Sequence, residues 1–276
     1  MKVCPIASGS SGNCIYIGDG ATHILIDAGI SRKRIVQGLH SIGISPEQLT
    51  AICITHEHSD HIMGLKVFLK NYHTPVYATE GTIAYIKEKI EDERQEENFH
   101  IVEADCPFEV GSMFITPFHT SHDAIDPIGY TVRTDTAKLG MATDLGCYDT
   151  YTVSHLKDCE VLILESNHDI SMLQAGTYPY QLKKRILSEK GHLSNVCAGN
   201  LLCELIHDKL RYVYLAHLSK ENNYPELAFE TVNCQLKLNC AGRRGGFKMA
   251  VAKRDEPSAM IDLCKDERED SHLACS

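Results

Sequence analysis

The sequence predicts an α/β domain in which sheets are covered by helices. Two observations carry this: several short apolar runs each stop at a polar residue able to do chemistry, and segments of helical periodicity lie between them. A third sets the scale, because 276 residues, 43% of them hydrophobic, suffice for one large layered domain with a substantial core.

Taken in chain order, Ile24-Leu25-Ile26 ends at Asp27-Ala28-Gly29, and Ile52-Cys53-Ile54 ends at a run of histidines. Leu139 to Thr143 ends at Asp144-Leu145-Gly146, Val161 to Leu164 at Glu165-Ser166-Asn167, and Tyr212 to Ala216 at His217. Continuous apolar runs of this length suit strands buried on both faces, and loops leaving one sheet edge are where sites accumulate. Helical patterns span Ser31 to Ile42, Gly64 to Tyr72, Thr82 to Glu93, Tyr180 to Glu189, Asn195 to His207 and Pro225 to Leu236, with Ser31 and Ser194 as N-cap candidates. No motif repeats and no low-complexity linker divides the chain. The expected organisation is one domain over residues 1–252 and a loosely held, charged tail over 253–276.

Composition removes several function classes. No stretch approaches the roughly 20 apolar residues that span a bilayer, and Met1 to Pro5 begins a strand without the features of a signal peptide. The twelve cysteines are scattered without a Cys-x-x-Cys pair, so they read as small buried hydrophobes in a reducing cytoplasm rather than as disulfides. Cys147, near Asp144, is the one thiol to check. A net charge of −10 argues against a generic electrostatic nucleic-acid binder. Part of the acid is concentrated between Glu88 and Glu97, and a mixed-charge run covers Lys265 to Asp270. Basic groups at Arg32-Lys33-Arg34, Lys183-Lys184-Arg185 and Arg243-Arg244 could form a local patch.

The most informative stretch is Thr55-His56-Glu57-His58-Ser59-Asp60-His61, which places four potential metal ligands, His56, His58, Asp60 and His61, within six residues. A strand that stops and turns can splay neighbouring side chains around a point, which a helix face cannot do at this spacing. Imidazole and carboxylate donors suit borderline divalent ions such as zinc, manganese or iron. Two ligands on one ion and two on another would suit a metal pair holding a hydroxide between them.

The His-x-His-x-Asp-His run resembles the signature of the metallo-β-lactamase-fold superfamily. The loop Ala7 to Asn13 with Cys14-Ile15-Tyr16-Ile17 after it, together with Glu165 to Asp169, Gly191 to Asn195 and Leu215 to Ser219, resembles the YycJ/WalJ-type hydrolases within it. The resemblance covers about Val3 to Phe229 and implies an αββα sandwich, a hydrolase domain with a two-metal site along one edge of the sheets. It implies His56, His58 and a later histidine on the first metal, Asp60, His61 and His217 on the second, and Asp144 bridging both. The later histidine comes from Phe118 to Asp123. The resemblance favours His122, which precedes the strand start Ile128-Gly129-Tyr130 as the family's third motif does, and His119 is the alternative, as a residue beside the ligands or the substrate. Asp27 is expected to hydrogen-bond a ligand imidazole, or else to cap the helix near Ser31. The Ser8 to Asn13 loop reads as an anion-facing backbone or as a tight hairpin turn.

Glu165 and His192 match the carboxylate–histidine pair of the superfamily's phosphodiesterases, including those that mature transfer RNA ends, where the pair helps to protonate the leaving oxygen. The alternative is that His192 caps the helix beginning at Ser194. Together with Asp60 they are the catalytic candidates. The expectation is a two-metal phosphodiesterase, an exonuclease acting on DNA in preference to RNA and linked to repair by resemblance, with zinc or manganese as the ion pair and iron third. A phosphodiesterase of small molecules or cyclic nucleotides is the alternative. A non-catalytic metal-binding sensor or partner protein is the alternative of another class. Against β-lactamase activity, the common zinc β-lactamases carry a cysteine where Asp144 stands.

Overall fold

Strand alternation sorts the apolar side chains into separate cores. A computed structural model describes residues 1–90, 97–240 and 246–265. The first sheet contains β1 (Lys2–Ala7), β2 (Cys14–Asp19), β3 (Thr22–Ile26), β4 (Ala51–Cys53), β5 (Val76–Ala78) and β6 (Phe99–Ile101). The second contains β7 (Phe108–Val110), β8 (Met113–His119), β9 (Ile128–Arg133), β10 (Lys138–Ala142), β11 (Val161–Glu165), β12 (Tyr212–Ala216) and β13 (Lys248–Val251). A short strand, β14 (Ile261–Asp262), completes the first sheet, so that the two seven-stranded orders are β14-β1-β2-β3-β4-β5-β6 and β13-β12-β11-β10-β9-β8-β7.

Successive side chains of a strand point to opposite faces, and here both faces are covered. Ile24 and Ile26 of β3 meet Val161 and Ile163 of β11 in the core between the sheets. Leu25 faces outward, onto Ile35 and Leu39 of α1 (Arg32–Ser41) and Phe68 of α3 (Leu65–Leu69), which follows the single turn α2 (Ser59–Ile62). α4 (Glu80–Ile90) covers the same face through Ile83 and Ile86. On the far side, Leu162 and Leu164 pack with Leu156 of α5 (Thr150–Leu156), and with residues of α8 (Asn195–Leu205) and α9 (Pro225–Asn239), beyond the short α6 (Ile170–Ala175) and α7 (Tyr180–Ile186). Two covered faces are why the runs read as continuously apolar. The layers are αββα, as the resemblance implies.

Strand polarity then puts the chemistry on one edge. β3 and β4 are parallel, as are β10, β11 and β12, so the residues following each leave the same edge of their sheet. β1 reaches the direction of β3 through two antiparallel pairings, and β8 reaches that of β10 in the same way. The loops after β1 and β8 therefore open on the same edge as the others. Carboxyl ends of parallel strands are the usual seat of ligand sites in such sheets. The two sheets are tied there by the Tyr130 hydroxyl, which donates to the Ile54 carbonyl at 2.8 Å, and by the Ile128 N–H, which donates to the Thr55 carbonyl at 3.0 Å.

Ser31 and Ser194 cap α1 and α8 by accepting from Arg34 N–H and Cys197 N–H. The helix expected over Gly64 to Tyr72 is shorter, and α2, α5 and α6 were not anticipated, each being under two turns and too short for a periodic signal. The described cysteines are all free, with Cys147 exposed. Among the described residues no helix is long and apolar enough to cross a membrane. Arg243-Arg244, the centre of the acidic run and most of the run from Lys265 lie outside the described residues.

The segment from residue 253, expected as a loosely held tail, is packed against the first sheet as far as Leu263. β14 pairs antiparallel with β1, Ser258 N–H donates to the Pro5 carbonyl, and Ile261 and Leu263 are buried in the core between the sheets. A two-residue strand carries no pattern of its own; its partner 260 positions away defines it. Leu263→Ala is expected to lower unfolding stability by about 2–4 kcal/mol in urea titrations, whereas a loss below about 0.5 kcal/mol would return this segment to a loose tail.

Candidate metal centre

Each strand that delivers a site residue must turn sharply to aim it. Asp27, Asp144 and His217 all have left-handed backbones, with φ of 64°, 57° and 57°. Each lies one or two residues past a strand end. Such a conformation costs a non-glycine residue on the order of 1–2 kcal/mol, so the surrounding contacts hold it. Gly29 lets the chain close up beneath: a Cβ there would lie 1.6 Å from the Asp60 carbonyl oxygen, which instead accepts from Asn13 N–H at 2.8 Å.

The histidine run converges with the later residues. Ligand-type atoms of His56, His58 and His122 lie within 4.8 Å of one another, as do those of Asp60, His61 and His217, and Asp144 stands with His56 and His61. His122 Nε2 is 3.2 Å from His58 Nδ1, His217 Nε2 is 3.3 Å from Asp60 Oδ2, and Asp144 Oδ2 is 3.2 Å from His61 Nε2. His119, by contrast, is exposed and faces Asp126, away from the cluster. It ends β8 at an exposed position, and the turn through Thr120 and Ser121 brings the chain to the buried His122.

The backs of these imidazoles are fixed. Asp27 Oδ2 lies 2.7 Å from His61 Nδ1, while its Oδ1 accepts from the Thr55 N–H. Ser31 caps α1, so Asp27 acts on His61. Thr55 Oγ1 sits 3.0 Å from His56 Nδ1, and the Gly191 carbonyl 3.1 Å from His122 Nδ1. Glu165 is fully buried. Its Oε1 lies 2.8 Å from both His217 Nδ1 and His192 Nδ1, and its Oε2 accepts from Leu145 N–H and Leu193 N–H at 2.9 and 3.0 Å. With Nδ1–H directed at the carboxylate, both rings present Nε2 to the site. Its neighbour His168 joins none of the ligand groups, and burial lowers its pKa to about 4, leaving the ring neutral.

Electrostatics favour positive charge inside. Burial opposes a charged His217, yet Asp144, Asp60 and Glu165 together raise its pKa to about 10. His61 is raised likewise against burial, by Asp27, Asp144 and Asp60. Burial also opposes charge on Glu165, but His192 and His217 bring it down to about 2. A field that draws protons onto imidazoles draws cations equally well.

The residues present fit a metal. His56 Nε2 and Asp144 Oδ2 are buried without any hydrogen-bond partner, an arrangement that costs about 1–3 kcal/mol per atom unless something else is ligated there. Asp144 Oδ2 is close to His61 Nε2 but lacks hydrogen-bond alignment with it. Donors bound tetrahedrally at about 2.0–2.1 Å lie roughly 3.3 Å apart, which is the spacing seen among these atoms. The cleft above them measures about 280 Å³ and is lined also by Ser10, Ser59, Arg185 and His192.

Fold and cage together define a metallo-β-lactamase-fold protein with a divalent-metal site. Residues 22–217 match the family described as the beta-lactamase superfamily domain, and the chain belongs to it. It is 36% identical to an exodeoxyribonuclease, WalJ of Streptococcus pneumoniae, over 95% of this chain and 98% of that one. It is also 36% identical to an exodeoxyribonuclease, YycJ of Bacillus anthracis, over 83% and 86% of the two chains. Among solved structures, zinc-bound PqqB from Methylobacterium extorquens shares the fold with a TM-score of 0.72, at 15% identity over 95% of this chain and 100% of that one.

Sequence reasoning missed Thr55, Asn13 and Arg185 as site residues. Asn13 Nδ2 reaches His61 Nε2 at 3.2 Å and its Oδ1 accepts from Gly9 N–H, which gives the Ser8 to Asn13 loop a structural task. Only Thr55 carried a local signal, by adjoining the run. Asp27→Ala leaves His61 Nδ1–H without its acceptor and is expected to weaken metal affinity about 10–100-fold, measured by competition with a chromogenic chelator; unchanged affinity would remove Asp27 from the account.

Proposed function

We propose that this chain is a cytoplasmic two-metal phosphodiesterase that shortens DNA from an end. The observation that carries the reading is a buried carboxylate, Glu165, holding His192 at the lip of a cage of seven ligand-type residues. Two relatives named as exodeoxyribonucleases, matching over most of the chain, support DNA over RNA. His56, His58 and His122 would hold one ion, Asp60, His61 and His217 the other, with Asp144 between them. Zinc, manganese and iron all suit these donors, and zinc or manganese is the proposed pair. When bound, such ions supply water acidified well below its ordinary pKa and positive charge against a phosphoryl oxygen.

The chain's own residues supply the rest. Asp60 directs Oδ2 at His217 and His61, leaving Oδ1 to accept a proton from the attacking water. Glu165 holds the Nδ1–H of His192, so that Nε2 faces the cleft and can donate a proton to the departing alkoxide. An alkoxide is a poor leaving group and gains most from a positioned acid. Glu165 thus acts through His192 and His217 as a positioning residue. Ser10 and Ser59 are exposed at the mouth, leaving a polymer end access to the cage.

The test is cleavage of end-labelled single- and double-stranded DNA and RNA beside bis-p-nitrophenyl phosphate, with zinc or manganese restored after chelation. Progressive shortening of DNA is the expected result; hydrolysis of the small ester alone would favour a small-molecule phosphodiesterase. Asp144→Ala is expected to lose metal and activity together, and full activity with two ions bound would contradict its bridging role. His192→Ala is expected to keep its metal and lose about 10²–10⁴ in kcat on DNA, with most of that loss absent for a p-nitrophenolate leaving group. Equal loss on both substrates would sink the acid assignment.

A further inference from the structure

The basic triplet Lys183-Lys184-Arg185 lies on α7 at the edge of the metal cleft, and the three side chains do different things. Lys183 Nζ donates to the Gln174 and Gly176 carbonyls at 2.7 Å each, tying α7 to the end of α6. Arg185 lines the metal cleft itself. Asp123 engages its Nε and Nη2, the latter at 2.8 Å, which fixes the plane of the guanidinium at the rim. Lys184 is exposed and lines a separate groove of about 600 Å³ with Tyr180 and Leu187.

Among the described residues, Tyr180 and Leu187 are two of the few exposed large apolar side chains, at 76% and 45% exposure. Tyr180 and Lys184 stand one turn apart on α7, and Leu187 and Ser188, just past its end, line the same groove, with Arg185 on the adjoining face of the helix. The segment from Tyr180 to Ser188 contains no acidic residue although the chain carries a net charge of −10. Its cations therefore stand against the average of the molecule. Tyr180 and Arg185 differ by about 7.5 Å along the helix axis, on the order of two base-stacking steps of about 3.4 Å.

The end of α7 is also docked rigidly on the cage. His192 N–H donates to the Ile186 carbonyl at 3.0 Å, Ser121 Oγ donates to the Glu189 carbonyl at 2.7 Å, and Gly191 offers its carbonyl to His122. A Cβ on Gly191 would lie 2.1 Å from the Ile186 carbonyl oxygen. A strand resting on α7 would thereby be registered against His122 and His192.

We propose that α7 is the binding rail for the single-stranded end of the polymer: Arg185 takes the phosphate at the cleft, Lys184 the next, and Tyr180 with Leu187 carries a base. This rests on the nuclease reading above. An aromatic platform beside cations is how single strands are held without sequence preference, and charge complementarity selects a polyanion.

The test uses the full chain with manganese, comparing a labelled single-stranded DNA oligonucleotide with bis-p-nitrophenyl phosphate. Tyr180→Ala and Lys184→Gln change exposed side chains. Each is expected to lower the oligonucleotide-to-ester ratio of kcat/KM about tenfold, through KM. Lys184→Gln should also make the salt dependence of the oligonucleotide KM shallower by about 0.7 in log–log slope. Unchanged oligonucleotide KM and salt slope in both variants, with the unsubstituted protein still shortening DNA, would overturn the rail and leave the nuclease standing. If polyglutamate competes as well as unlabelled DNA, the groove belongs to an acidic protein partner and the rail is equally overturned. If the unsubstituted protein cleaves only the ester, the nuclease reading falls and the rail with it.

Discussion

The site hangs on one buried carboxylate. Glu165 ends β11 in the middle of the second sheet and accepts from two imidazoles and two backbone N–H groups. Those four donors come from the loop after β10, the loop leading into α8 and the residue after β12. A single side chain therefore fixes the spatial relation of three chain segments and the tautomer of two histidines. An unpaired buried carboxylate would cost several kcal/mol. Here the charge is matched by donors on every side, so it is stable as an anion and keeps both Nε2 atoms facing the cleft.

The same economy governs the rest of the cage. Asp27 and Thr55 do for His61 and His56 what Glu165 does for His217 and His192. The left-handed turns at Asp27, Asp144 and His217 are local costs that sheet packing over-determines. What remains is a pocket with surplus negative field, raised imidazoles and two unpartnered buried donor atoms. This is a poor place for protein alone and a good one for divalent cations.

Much of this was legible in the sequence because most of the site residues follow apolar runs, and such runs are strands whose ends share an edge. The histidine run, Asp144, Glu165 and His217 could be read that way. The choice between His119 and His122 could not: both lie near one strand end, and only the turn through Thr120 decides which points inward. Asn13 and Arg185 were invisible as site residues because their contacts join segments far apart in the chain, and a basic triplet looks the same whether it is solvated or lines a cleft. The strand at Ile261 was missed for a similar reason, since pairing with β1 creates it. The short helices α2, α5 and α6 carry too few residues to show a period.

Glu165 is proposed to serve two roles at once, fixing His217 as a metal ligand and His192 as the acid. Divalent-metal affinity of Glu165→Gln, by chelator competition on folded protein, tests it most directly. The amide keeps the size of the side chain but removes the charge that holds two Nδ1–H groups, so affinity is predicted to fall about 10–100-fold. Affinity equal to that of the unsubstituted protein would contradict the claim and reduce Glu165 to a partner of His192 alone.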